Sequence, residues 1–154
     1  MLLTYTPGSL DNGSPVTNYK IYVREDDGTT FTEITADCAE YSATLVAGTT
    51  CTVLMTTLRA SPYLLDYDDD VIFKVISVNL QGDSQYSNDS PSGAKVQDVP
   101  DQMVTPVYVS KTSTSLTVSY TTLSFPTETG GAPITQYLLE YRYSNSTGVW
   151  SSII

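Results

Sequence analysis

The side chains of this chain that could do chemistry are carboxylates, hydroxyls, two thiols and a few amides; none is a histidine. A Ser or Cys nucleophile therefore lacks its usual general base. Paired carboxylates do occur, at Asp66, Asp68, Asp69 and Asp70. They sit in a polar loop ahead of an apolar strand, and nothing nearby in the sequence supplies an apolar pocket to raise the pKa of one above another. No catalytic residue and no cofactor is assigned, and no enzyme is expected. The same four carboxylates are hard oxygen ligands and form a candidate calcium set. They lack the central Gly and closing Glu of an EF-hand loop. The competing reading is a solvated acidic loop that blunts a sheet edge.

The thiols are Cys38 and Cys51. Their spacing is not C-x-x-C, and no His is present to share a metal with them. They read as a disulfide, which points to an oxidising compartment. The alternative is two unpaired, half-buried thiols in a reducing one. Asn12, Asn88 and Asn145 each open an Asn-x-Ser/Thr triplet, the acceptor sequence for N-glycosylation. The first two triplets are followed by Pro, which makes Asn145 the leading candidate.

Net charge is −10 over 154 residues. Up to Gln97 there are 5 basic and 13 acidic residues, a balance of −8; beyond it there are 2 and 4, a balance of −2. Such a surface repels phosphate backbones and anionic lipid, so neither nucleic acid nor a membrane surface is an expected partner. No apolar run reaches the length of a transmembrane helix, so no membrane insertion is expected in this segment. Met1-Leu2-Leu3 passes at once into polar residues and does not read as a signal peptide.

The elements that must position these groups are strands. The chain has 23 Thr and 12 Tyr, residue types that favour a half-buried pleated surface, and its Pro and Gly fall between alternating runs. No ten-residue window keeps a helical apolar stripe, so the class is all-β. Strands are expected at 2–6, 16–24, 29–36, 51–58 and 71–79, with a broken strand between Tyr86 and Val96. The hairpin Asp26-Asp27-Gly28 joins two of them. A Pro-containing linker, 99–106, separates a second set at 107–109, 115–120, 134–143 and 149–153. The two sets repeat one signature. Gly13-Ser-Pro-Val-Thr-Asn-Tyr19 matches Gly131-Ala-Pro-Ile-Thr-Gln-Tyr137, and each follows a strand ending in Tyr, at Tyr5 and Tyr120.

These residues resemble the fibronectin type III module, an immunoglobulin-like β-sandwich. That family carries Gly-x-Pro-Ile-x-x-Tyr at the start of its third strand, after an aromatic for which Tyr5 and Tyr120 stand here. The run Phe73–Ser84, followed by Ser87, is similar to the family's sixth strand and the turn after it. The resemblance implies a tandem: residues 1–97 as a module lacking its first strand, and 98–154 as the N-terminal half of another. Two departures stand out. Val71 replaces the Tyr that usually opens the sixth strand, and the span holding Cys38 and Cys51 is longer than usual. A disulfide there would clamp the extra length and compensate for the lost Tyr.

On the same resemblance Val71, Phe73, Val75 and Ser77 face the core. Ile72 and Ile76 then lie outward beside Tyr22 as a candidate partner face. The competing reading has these residues shielded by Lys stems. Both ends fall inside a module, as expected of a portion of a longer protein or of chains that donate strands to one another. The function expected is a non-enzymatic, extracellular or cell-surface structural or adhesion segment of a repeat array, with neighbouring modules or further copies as protein partners and a surface filament as one form. A ligand-binding module using loops 7–15, 38–50 and 81–87 is the first alternative. An intracellular scaffold is the second.

Overall fold

The computed structural model describes residues 1–38, 50–142 and 150–153. Asn145 and most of loop 38–50 lie outside them. The described residues form ten strands and one short helix. They divide into two compact units, Met1–Asp98 and Val99–Ile154.

In the first unit, β1 (Leu2–Thr4) pairs antiparallel with β4 (Thr50–Thr52). Opposite them β3 (Phe31–Glu33), β2 (Asn18–Arg24), β5 (Phe73–Asn79) and β6 (Gly82–Asp83) form one antiparallel sheet in that order. Alternation in β2 sends Ile21 and Val23 to the same side as Val71 of the chain entering β5. There they meet Leu3 and Cys51 of the smaller sheet in one buried cluster that also holds Ile34, Val53, Leu58, Tyr63, Leu65 and Val96. Two sheets sharing one core make this unit an all-β sandwich.

The hairpin between β2 and β3 forms where Asp27-Gly28 predicts it. The Asp27 carboxylate accepts the Thr29 and Thr30 amides, both at 2.8 Å, and the Thr30 hydroxyl. Gly28 takes φ 75°, a conformation a side chain would strain. The strand expected over 51–58 is shorter than that. It ends at Thr52, and Met55–Arg59 forms α1. Met55 and Leu58 stand three apart, a helical spacing, and Leu58 is fully buried. The Asp37 carboxylate accepts the amide of Leu54, the residue preceding the helix, at 3.0 Å.

The second unit holds two antiparallel pairs. One joins β7 (Val107–Lys111) to β8 (Leu116–Ser119), with a bulge at Val109; the other joins β9 (Leu139–Tyr141) to β10 (Ser151–Ile153). Among its described residues only the turn at Thr129, Gly130 and Gly131 is buried, and β7 is exposed along its whole length.

Candidate functional site

Cys38 and Cys51 are joined by a disulfide with Cα atoms 5.7 Å apart, and no described Cys is free. The bond ties the end of the β3 connection to β4, where Cys51 is buried beneath the smaller sheet. A second tie lies at Tyr63. Its hydroxyl donates to the Glu33 carbonyl at 2.8 Å, and its own carbonyl accepts the Asp26 amide at 2.9 Å. Burial, with Asp37, Glu25 and Glu33 nearby, pushes this phenol up to about 12. Sequence reasoning missed it because a Tyr in a Pro-containing loop carries no strand or helix period.

Three of the four Asp side chains of the calcium candidate, those of Asp68, Asp69 and Asp70, are committed to the chain itself. Asp69 accepts the Asp66 amide at 2.7 Å, and Asp70 accepts the Gly93 amide at 3.2 Å. Asp68 pairs with Lys95 at 3.0 Å, and its carbonyl accepts the same ammonium at 2.7 Å. The hydrogen bond to Asp68 holds the Lys95 ammonium above its ordinary pKa. No group of three or more metal-ligating side chains gathers among the described residues. The acidic turn latches residues 93–96 against Val71 instead, and Val96 is fully buried.

The proposed partner face needs correcting. β2 and β5 run in the register Lys20↔Ile76 and Tyr22↔Lys74, so Tyr22 and Ile76 do share the side away from the core. Ile72 and Ile76, however, are each only 5% exposed. Long side chains cover that side. The Lys74 ammonium stands 4.0 Å from the Phe31 ring centroid and pairs with Asp89 at 3.1 Å, and Lys20 pairs with Asp83 at 2.7 Å. Tyr86 packs edge-on against Tyr22, with centroids 5.1 Å apart. Alkyl stems and rings thus seal the isoleucines, and no open apolar patch remains at Tyr22, Ile72 and Ile76. Burial raises the Tyr22 phenol, and the hydrogen bond to Asp83 raises Lys20.

Tyr86 and Asp89 reach that face from an arm of unusual construction. After β6 the chain continues beside β5 without forming a strand. Ser84, Ser87 and Ser90 donate their amides to the carbonyls of Ser77, Val75 and Phe73, each at 2.9 Å. Their hydroxyls accept the amides of the same three residues at 2.9, 3.0 and 3.0 Å. Each serine does the work of two backbone groups, and three residues of arm advance the pairing by two residues of β5. The Ser-x-x-Ser-x-x-Ser spacing is visible in the sequence, but period three matches neither a helix nor a strand template. The Asn88 triplet lies on this arm, with Asn88 exposed and the Ser90 hydroxyl engaged by Phe73.

Between the arm and β1 lies an open groove of about 380 Å³. Tyr5, Tyr19, Phe73, Val75 and Tyr86 supply its apolar lining, and Ser84, Ser87 and Ser90 its hydroxyls. A second cleft of about 280 Å³ brings loops 7–15 and 81–87 together around Asp11, Asn12, Gln81 and Asp83. The Asn79 amide spans from one loop to the other, donating to the Ser14 carbonyl at 3.2 Å.

The internal repeat has a counterpart in space. Tyr5 and Tyr19 pack with centroids 5.0 Å apart at 52°. In the second unit Tyr120 and Tyr137 pack at 5.3 Å and 45°. In each unit the Tyr directly after one strand meets the Tyr after the Gly-x-Pro loop.

No family model matches this sequence. Among solved structures, the chain is similar to the twitchin kinase region from C. elegans (Fn31-NL-kin-CRD-Ig26), at 26% identity and a TM-score of 0.40. The match covers 64% of this chain and 15% of that one. The all-β assignment rests on the sheets and shared core described above. Among the described residues, no helix is long and apolar enough to cross a membrane.

Proposed function

We propose that this chain is a non-enzymatic structural or adhesion segment of an extracellular array built from fibronectin type III-like modules. The observation that carries this reading is the recurrence of one aromatic contact, Tyr5 with Tyr19 and Tyr120 with Tyr137, at matching places in two separate units. Repetition of a packed unit along one chain is how spacers and adhesive stalks are made. The disulfide supports an oxidising compartment. The shifted ionisable groups described above each serve a turn, a salt bridge or a buried ring, which supports a framework role over catalysis. Negative charge and glycans at Asn145, and at Asn88 and Asn12 where modified, would keep the array soluble. A surface filament is the assembled form this reading favours.

The test is electron microscopy of the native parent material, with mass spectrometry of Asn145 on the same sample. Regular rods or filaments with glycan on Asn145 support the reading. Dispersed particles, free thiols and an unmodified Asn145 overturn it in favour of an intracellular scaffold. A second reading, a module that binds a protein or carbohydrate ligand, draws on the cleft where loops 7–15 and 81–87 meet.

A further inference from the structure

The sequence holds a single Asn-Gly pair, Asn12-Gly13, in the loop between β1 and β2. Asp11, Asn12 and Gly13 are all exposed there. Both central residues of the turn 11–14 have positive φ, 53° at Asn12 and 83° at Gly13. The Ser14 amide closes the turn on the Asp11 carbonyl at 3.1 Å. This is the I′ form that Asn-Gly favours. Inside it the Asp11 carboxylate accepts the Gly13 amide at 3.0 Å.

Asn-Gly is also a pair in which the second backbone nitrogen can reach the preceding side chain without obstruction. A Cβ added at Gly13 would meet nothing within 4 Å, so the approach is open and water can follow. The other described Asn residues, Asn18, Asn79 and Asn88, precede Tyr19, Leu80 and Asp89, whose side chains hinder the same approach.

We propose that Asn12 is a deamidation site whose rate the fold sets through Asp11. The Gly13 nitrogen gives up its proton to water and attacks Asn12 Cγ. An N–Cγ bond forms, the Cγ–Nδ2 bond breaks, and Nδ2 takes up a proton and leaves as ammonia. Water then opens the five-membered imide at one of its two carbonyls. Opening at Cγ leaves Asp; opening at the backbone carbonyl leaves isoaspartate, with the chain running through Cγ. No oxidant or reductant is needed.

Asp11 acts as the brake. Its carboxylate stabilises the N–H that must be lost, and its charge opposes the nitrogen anion that would attack. The Asp27-Gly28 pair could form the same imide, but three donors hold the Asp27 carboxylate and the Gly28 amide donates to the Glu25 carbonyl at 3.0 Å. Conversion at Asn12 sets a new carboxylate in the cleft that Asp11 and Asp83 already line. Isoaspartate also adds a backbone atom to a turn that Ser14 closes, and the Ser14 carbonyl carries the bond from Asn79. The change is irreversible, so it marks the age of a chain at the junction of loops 7–15 and 81–87. This inference does not depend on the array reading.

The experiment incubates the full chain at neutral pH, folded and in urea, and follows Asn12 by peptide mass spectrometry with an isoaspartate assay. Conversion is expected first at Asn12, and faster in urea than in the folded chain. Asp11→Ala should speed it roughly fivefold in the folded chain, for one exposed charge-assisted bond lost, and leave the rate in urea unchanged. Equal rates for the parent chain folded and in urea overturn the proposal, as does earlier conversion at another Asn. A folded Asp11→Ala chain no faster than the parent also overturns it. The parent comparison decides the matter if Asp11→Ala does not fold. Native material with glycan on every Asn12 overturns it too, because Nδ2 then carries the sugar.

Discussion

At the scale of single residues, two polar side chains contribute to how this fold responds to pH. The Asp27 carboxyl is held down to about 2, first by the Thr30 hydroxyl and then by the Thr30 and Thr29 amides. Its folded pKa lies below its unfolded value. The contribution is therefore complete above the ordinary carboxylate range and disappears as pH falls through about 2. Thr30→Ala should move the Asp27 carboxyl carbon titration upward by NMR; an unmoved titration would show that the hydroxyl is not the main cause. Tyr63 acts at the other end of the scale. Its folded pKa is raised to about 12 from 10.0. Stability is unaffected below 10 and declines as pH rises through that window, because the unfolded phenol ionises first. Tyr63→Phe should cost about 1 kcal/mol at neutral pH, from the lost bond to the Glu33 carbonyl. It should also flatten the alkaline decline expected in urea melts between pH 9 and 12. An equally steep decline in the variant would exclude Tyr63 as its source.

Elements differ in how much of them a sequence can announce. The Asp27-Gly28 turn, the core face of β5 and the alternation of β2 could be read directly, because each depends on local chemistry with a known period. Residues 55–59 could not. Five residues are too few to establish a helical stripe, and Thr56 and Thr57 are strand formers that tertiary packing overrides by burying Leu58. Leu58→Ala should destabilise the first unit by about 2–5 kcal/mol in chemical denaturation, while a loss under 1 would argue that this turn of helix is loosely seated. The outward isoleucines teach a different lesson. Parity assigned their side of the sheet correctly, yet it is blind to Tyr86 and Asp89, which arrive from a segment that pairs by serine hydroxyls. Ser87→Ala removes the acceptor for the Val75 amide. Exchange at Val75 should quicken roughly fivefold to tenfold, for about 1 kcal/mol lost; protection equal to the parent's would deny the hydroxyl this role.

For the whole molecule, the disulfide belongs to one unit and should act on that unit alone. It closes a span with sequence separation 13, which chain-entropy reasoning values at about 3 kcal/mol. Reduction should lower the unfolding midpoint of Met1–Asp98 and leave that of Val99–Ile154 in place. A calorimetric trace in which both transitions shift together would show that the units are not independent. Under tension the same bond hides length. Pulling the reduced chain should release about 40 Å more contour than the oxidised one, at roughly 3.5 Å per residue less the 5.7 Å that the bridge itself spans.

The serine arm works as a vernier. Because three residues of arm match two of β5, the two scales coincide fully in one alignment. Sliding the arm by one or two residues puts every hydroxyl out of phase, and sliding it by three saves two contacts of the three. Deleting a single residue between Ser84 and Ser87 would therefore disturb more than replacing either serine, since it displaces everything upstream or downstream of the cut. The arm measures its own length, and with it fixes where Tyr86 and Asp89 come to rest over the sheet.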